Sequence, residues 1–242
     1  GSFMKVLILV SALLVAASST LASGPSSPPS TRQLSHYVHR VWQRGQGLPQ
    51  DSVSAVLQTR DGFLWLGTQE GLVRFDGVRF TLFNKGNTPA FTHNEVTALV
   101  EGPDGSLWIG TYGGLLQQKA GRFTAHPTHE SRERDAILSL AVDRRGVVWV
   151  GTQNGGVNRL ENGKFEFLST SQGLPSNVIH DIAVDAEDRP WVATDRGLSV
   201  RRGTRWTTFD RSAGMPADVV RQVLVARDGT AWVGTSNGLA HV

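Results

Sequence analysis

No cysteine occurs in the sequence. That excludes a disulfide framework, a thiol nucleophile and a thiolate metal site in one step. No run of five or six like charges occurs either: Lys+Arg number 24 against 21 Asp+Glu, a formal charge of +3. The sequence pI near 9.7 therefore reflects scattered basic residues, and nucleic acid is not an expected partner. A P-loop, a Rossmann glycine pattern and a Gly-x-Ser-x-Gly elbow are all missing. No stretch sustains a helical period. The one long apolar run, Val6 to Ala17, has about twelve residues and is too short to span a bilayer.

That run fits a targeting signal. Met4 and Lys5 make a short basic start, and Thr20-Leu21-Ala22 matches a small-x-small cleavage pattern. Residues 1–22 read as a signal peptide cut after Ala22, with Gly1-Ser2-Phe3 as a cloning scar or a mis-set start. Export places the chain in the periplasm or outside the cell. The stretch SGPSSPPST (23–31) cannot bury apolar area, so 23–34 is expected to be a disordered linker.

Glycine (27) and tryptophan (7) are plentiful, which suggests tight turns and large flat side chains in an all-β chain. Five segments align: FLWLGTQEGL (63–72), SLWIGTYGGL (106–115), VVWVGTQNGGV (147–157), RPWVATDRGL (189–198) and TAWVGTSNGL (230–239). Their tryptophans, Trp65, Trp108, Trp149, Trp191 and Trp232, stand 43, 41, 42 and 41 positions apart. A period of about 42 residues suits a four-stranded propeller blade. The expected fold is a β-propeller of four-stranded antiparallel blades over 35–242, with repeats starting near 50, 93, 135, 176 and 217.

Each repeat opens on an alternating strand, then turns at Asp61-Gly62, Asp104-Gly105, Arg145-Gly146, Asp188-Arg189 or Asp228-Gly229. A two-residue hairpin there requires positive φ at both positions. The Trp strand, a third strand such as Leu72–Phe75 and an aromatic fourth strand such as Arg79–Phe83 follow. The fifth repeat stops inside its third strand, at Leu239–Val242. His36–Trp42 has the pattern of a fourth strand. Two readings follow: a five-bladed ring closed by 36–42, or the first part of a longer propeller.

The repeated tryptophans are expected to fill the wedges between blades. Thr68, Thr111, Thr152, Thr194 and Thr235 read as turn or inter-blade hydrogen bonds. Gly71, Gly114, Gly155, Gly197 and Gly238 are expected to take positive φ. Function is left to the variable residues between them: Gln69 and Glu70, Tyr112, Gln153 and Asn154, Asp195 and Arg196, Ser236 and Asn237. In a propeller these loops share a face with the loops between blades, so together they ring one mouth of the channel. Such a polar, amide-rich ring suits an oligosaccharide or another polar small ligand. Solvated turns without a ligand are the alternative.

No catalytic residue, metal site or cofactor is expected. His126 and His129, beside Glu130, fall in a loop around Pro127. His36 and His39 lie on opposite faces of a strand. Glu70 and Asp195 belong to blades one and four, too far apart for a glycosidase pair.

The composite G-L-P-x-x-x-V, a strand, D-G-x-L-W-[LI]-G-T-x-x-G-L, F-D-G and an aromatic fourth strand is clearest in Gly47–Phe83. It resembles the two-component regulator propeller family from Leu34 to Val242. Departures are Asp135 in place of the Gly-Leu-Pro lead-in and Ala193 in the Trp strand. The resemblance implies a periplasmic sensor, followed in such proteins by a β-sandwich, one transmembrane helix and a histidine kinase or diguanylate cyclase output. It also implies oligosaccharide sensing, more than five blades and no catalytic residues to carry over. Membrane attachment would then come only through a part beyond Val242. A protein-interaction scaffold that dimerises through the propeller, and more remotely a propeller lyase or glycosidase, are the competing functions.

Overall fold

A computed structural model describes residues 40–127, 136–226 and 228–242. The signal peptide, the linker and most of the expected 36–42 strand lie outside them. The described strands belong to one compact unit, Val41–Val242.

Among the described residues nineteen strands form five antiparallel sheets, each in simple sequence order. Blade one holds β1 (Val53–Gln58), β2 (Leu64–Thr68), β3 (Gly71–Phe75) and β4 (Phe80–Phe83). Blade two holds β5 (Val96–Glu101), β6 (Leu107–Thr111), β7 (Gly114–Lys119) and β8 (Arg122–His126). Blade three holds β9 (Ile137–Val142), β10 (Val148–Thr152), β11 (Val157–Glu161) and β12 (Lys164–Leu168). Blade four holds β13 (Ile179–Val184), β14 (Pro190–Thr194), β15 (Gly197–Arg202) and β16 (Arg205–Phe209). Blade five has three described strands, β17 (Val220–Val225), β18 (Ala231–Thr235) and β19 (Gly238–His241). Of the expected closing strand only Arg40–Trp42 is described. It carries no strand, and Trp42 meets Phe75 of blade one edge-on at 5.4 Å.

The hairpin between the first two strands differs from the expected two-residue turn. Thr59 N–H donates to the Phe63 carbonyl, and Gly62 N–H donates back to the Thr59 carbonyl. The loop therefore has three residues, of which only Gly62 has positive φ. This is a turn followed by a left-handed residue, which matches strand twist as well as the two-residue form does. In blade four Asp188, not glycine, takes the left-handed place at φ 61°. Its carboxylate reaches back to blade three, accepting from Arg144 N–H and Arg144 Nε at 3.1 Å each.

Two of the Gly-Leu-Pro-type lead-ins repeat as small capped turns after an aromatic strand, and a third precedes blade one. Gly47, Gly173 and Gly214 end single 3₁₀ turns at φ 96°, 94° and 93°. Leu48, Leu174 and Met215 are buried beneath them. Asp51, Asn177 and Asp218 accept from the first N–H of each turn. Blade two lacks the motif but keeps the bond, from Lys85 N–H to Asn94.

Blades pack face to face, and four of the five tryptophans sit where the repeat placed them. Trp65, Trp108, Trp149 and Trp191 are 3–7% exposed and join clusters with the next blade. The glycine two residues after Trp makes room for that neighbour. A Cβ on Gly67, Gly110 or Gly151 would come within 3.0, 2.6 or 2.7 Å of Val96, Ile137 or Ile179, the first strand residue of the following blade. Blade four carries Ala193 at this position, fully buried against blade five.

Candidate functional site

Every first strand carries a register break at its second residue, set between Val53 and Ala55 in blade one and at the equivalent step in the others. Such a bulge re-aims one side chain. Ser54 and Thr97, at that position in blades one and two, donate to the carbonyls of Val96 and Ile137 in the next blade. One residue later, Ser139 Oγ accepts from Ile182 N–H at 3.0 Å and Asp181 Oδ2 accepts from Val223 N–H at 3.1 Å. These bonds tie the inner strands into a rigid collar.

The variable loops stand at one end of that collar. In each, the threonine closes the turn on itself rather than bridging blades: Thr68, Thr111, Thr194 and Thr235 donate to the carbonyl three residues on, at 2.8 Å. Gly71, Gly114, Gly197 and Gly238 have φ of 142°, 123°, 118° and 114°. Blade three corrects the expectation for Gly155. Its loop is one residue longer, Thr152 bonds the Gly156 carbonyl, and Gly156 takes the left-handed role at φ 78°. A Cβ on Gly156 would run into the Leu168 carbonyl.

Gln69, Glu70, Tyr112, Gln153 and Ser236 are hydrogen-bonded to lead-in loops. Gln50 donates to Gln69, and Asn84 donates to the Glu70 carbonyl. Tyr112, Gln153 and Ser236 donate their backbone N–H to Glu95, Ala136 and Val219. Gln69, Glu70, Tyr112, Gln153, Asn154, Arg196, Ser236 and Asn237 are exposed. Tyr112 lies beside the His93 ring at 5.8 Å. These bonds run between a pair and an adjoining lead-in loop.

Asp195 is the exception in its environment. It is half-buried, and its Oδ1 is shielded from solvent without a hydrogen-bond partner among the described residues. Near it lies His180, which in turn feels Arg221; the sequence reading passed over both, and they occupy the bulge position of blades four and five. Burial pulls the His180 pKa down, the Arg221 charge adds to this, and Asp195 opposes both. The signal was the appearance of ionisable groups where blades one and two carry Ser54 and Thr97.

A groove of about 470 Å³ lies at the other end of blades three and four. Arg201 and Arg159 lie within 6 Å of the Trp149 ring, and Glu166 accepts from them at 2.8 and 3.3 Å. The Arg201 contact holds the Glu166 carboxyl below its usual range. This is an internally paired ionic network. His126 ends β8 against Trp108 at 5.1 Å, and burial lowers its pKa. His129, Glu130 and His36 and His39 lie outside the described residues. Among the described residues no group of three metal-ligating side chains occurs, and no helix is long and apolar enough to cross a membrane.

Comparison with known proteins follows the repeats. Residues 47–70, 90–113 and 133–154 match the model of the two component regulator propeller. No curated protein matches the sequence. Among solved structures, the extracellular domain assigned to a hybrid two-component system of B. thetaiotaomicron superposes with a TM-score of 0.71 at 24% identity, over 84% of this chain and 30% of that one. A second extracellular domain from that organism, assigned to a one component system, gives 0.67 at 23%, over 79% and 27%. Virginiamycin B lyase from Staphylococcus aureus gives 0.61 at 14%, over 77% and 68%. The chain thus spans about 30% of the length of the first of these structures. At these identities the superpositions establish the fold, a β-propeller of repeated blades, and three of its segments match two component regulator propeller repeats.

Proposed function

We propose that this chain is the ligand-sensing part of an extracytoplasmic signalling receptor, and that it binds a polar ligand, an oligosaccharide by preference, on the ring of variable loops. Asp195 carries the reading: its shielded Oδ1 is an acceptor without a partner, in the loop set that varies from blade to blade. A buried carboxylate oxygen left unpaired is costly, and a shift of the loop that opens Oδ1 to a hydroxyl or amide donor of a ligand would relieve that cost. His180 supplies a further polar group beside it. The rigid collar beneath fixes the loops, as suits recognition without chemistry. The two-component assignment of the similar extracellular domains supports a role in signalling and a periplasmic or extracellular location.

Isothermal titration against a panel of neutral and acidic oligosaccharides tests this. Binding by at least one, lost on Asp195→Ala while thermal unfolding is retained, is the expected result. A folded chain silent across the panel contradicts it.

A further inference from the structure

The wedge between blades three and four holds an ion pair at two places that blades one and two leave uncharged. Arg201 pairs with Trp206 across β15 and β16; at its place blades one, two and three carry Phe75, Gln118 and Leu160. Glu166 faces Arg159 across β11 and β12, where blades one, two and four carry Thr81, Thr124 and Thr207. Arg201 is only 8% exposed. Leu160 shows that a leucine can fill this place, and replacing a buried ion pair by packed apolar groups is often neutral or stabilising. Packing alone does not require the arginine.

The same wedge has donors without acceptors. Glu166 Oε1 and Oε2 lie 2.8 and 3.5 Å from Arg201 Nη2 and Nη1, and Arg201 Nε has no partner among the described residues. The indole N–H groups of Trp149 and Trp206 have none either, and their rings lie 5.7 and 5.9 Å from the Arg201 guanidinium. Blades one and four differ: Trp65 donates to Thr59 and Trp191 to Asp185. The carboxylate that holds Arg201 is the exposed member of the pair, with a Glu166 side chain 43% exposed against 9% for Arg201. An ion pair with so exposed a partner is weak and exchanges easily.

We propose that the groove of about 470 Å³ over this wedge is a further ligand site, for the carboxylate of a small organic acid, which enters as Glu166 turns out to solvent. Not tethered to β12, that carboxylate takes the side-on fork of Arg201, Nε with Nη2, which Glu166 does not use. Arg159 Nη1, which donates to Glu166 at 3.3 Å, is released with it and supplies a third donor. The volume suits a small molecule, whose sites run to about 300–1,000 Å³. The site lies at the opposite end of the blades from Asp195 and does not rest on the loop ring.

Arginine and indole ¹H–¹⁵N spectra test this, with glucuronate and glutarate as probes and glucose as the neutral control. Either carboxylate is expected to shift Arg201 Nε–H and the Trp149 and Trp206 indoles, leaving Trp65 and Trp191 unmoved; glucose shifts none. Which of the two binds more tightly tells a sugar acid from an aliphatic one. Glu166→Gln removes the internal competitor, keeps the fold because the side chain is exposed, and is expected to tighten binding about tenfold. Arg201→Leu, which copies Leu160, abolishes binding at an unchanged melting temperature. Asp195→Ala leaves it as it was, which separates this site from the loop ring. No shift with either carboxylate, shifts that persist in Arg201→Leu, or a Glu166→Gln chain that binds no tighter overturns the inference. Equal binding of inorganic sulfate also overturns it, marking an adventitious ion only.

Discussion

The indole Nε1 of Trp191 donates to Oδ2 of Asp185 at 2.9 Å, across the hairpin six residues away. The same carboxylate holds the turn through Oδ1, accepting from Glu187 N–H and Arg189 N–H, and Arg189 Nε binds Oδ2 at 2.6 Å. One buried side chain thus couples the turn to the inter-blade wedge. Burial alone would raise the Asp185 pKa, but the bonds from Trp191 and Arg189 outweigh it and hold the carboxyl below its usual range. Asp185→Ala leaves the indole and two N–H groups without a partner. Denaturant unfolding is expected to show a loss of about 2–3 kcal/mol.

Blade three offers the contrast. Asp143 stands in the same place, but Arg145 occupies its Oδ2 at 3.0 Å and the Trp149 indole N–H has no partner. Trp149→Phe and Trp191→Phe remove similar volume, yet only the second breaks a hydrogen bond. Trp191→Phe is expected to cost about 1 kcal/mol more by the same measurement.

Gly156 tests the corrected loop of blade three. Gly156→Ala forces a left-handed alanine and drives its Cβ against the Leu168 carbonyl. Thermal unfolding is expected to reveal a loss of about 2 kcal/mol or more.

Much of this was open to reading from the residues. The tryptophan spacing pointed to the blades, and four of the five variable loops hydrogen-bond to lead-in loops. What stayed hidden depended on neighbours or on backbone detail. Asp61-Gly62 serves a two-residue turn and a three-residue turn alike, so local sequence cannot choose between them. Gly155 and Gly156 are adjacent, and only the approach of Leu168 decides which one turns the chain. His180 reads as one polar residue in an alternating strand until the bulge sets it near Asp195. Trp232 sits in the same motif as Trp65, and the motif does not encode that one is 45% and the other 3% exposed.

Acid behaviour has a local marker. Lys119 Nζ lies 2.6 Å from Asp104 Oδ2 and is the main cause that lowers the Asp104 pKa to about 2, with Ser106 adding hydrogen bonds against the cost of burial. A carboxyl depressed in the folded state contributes stability above its ordinary pKa and loses it as pH falls toward the folded value. That window runs from the ordinary 3.8 down to about 2. Both side chains are about half exposed, so the contribution is small. In Lys119→Met, carboxyl-detected NMR titration is expected to return Asp104 toward its ordinary value.

Hydrogen exchange of the chain with and without a bound oligosaccharide tests the central claim, that recognition belongs to the variable loop ring, most directly. Protection is expected at 69–70, 112, 153–154, 195–196 and 236–237, strongest near Asp195, with the opposite hairpin turns at 60–62 and 144–146 unchanged. Protection confined to those hairpins, or none anywhere under saturating ligand, would contradict it.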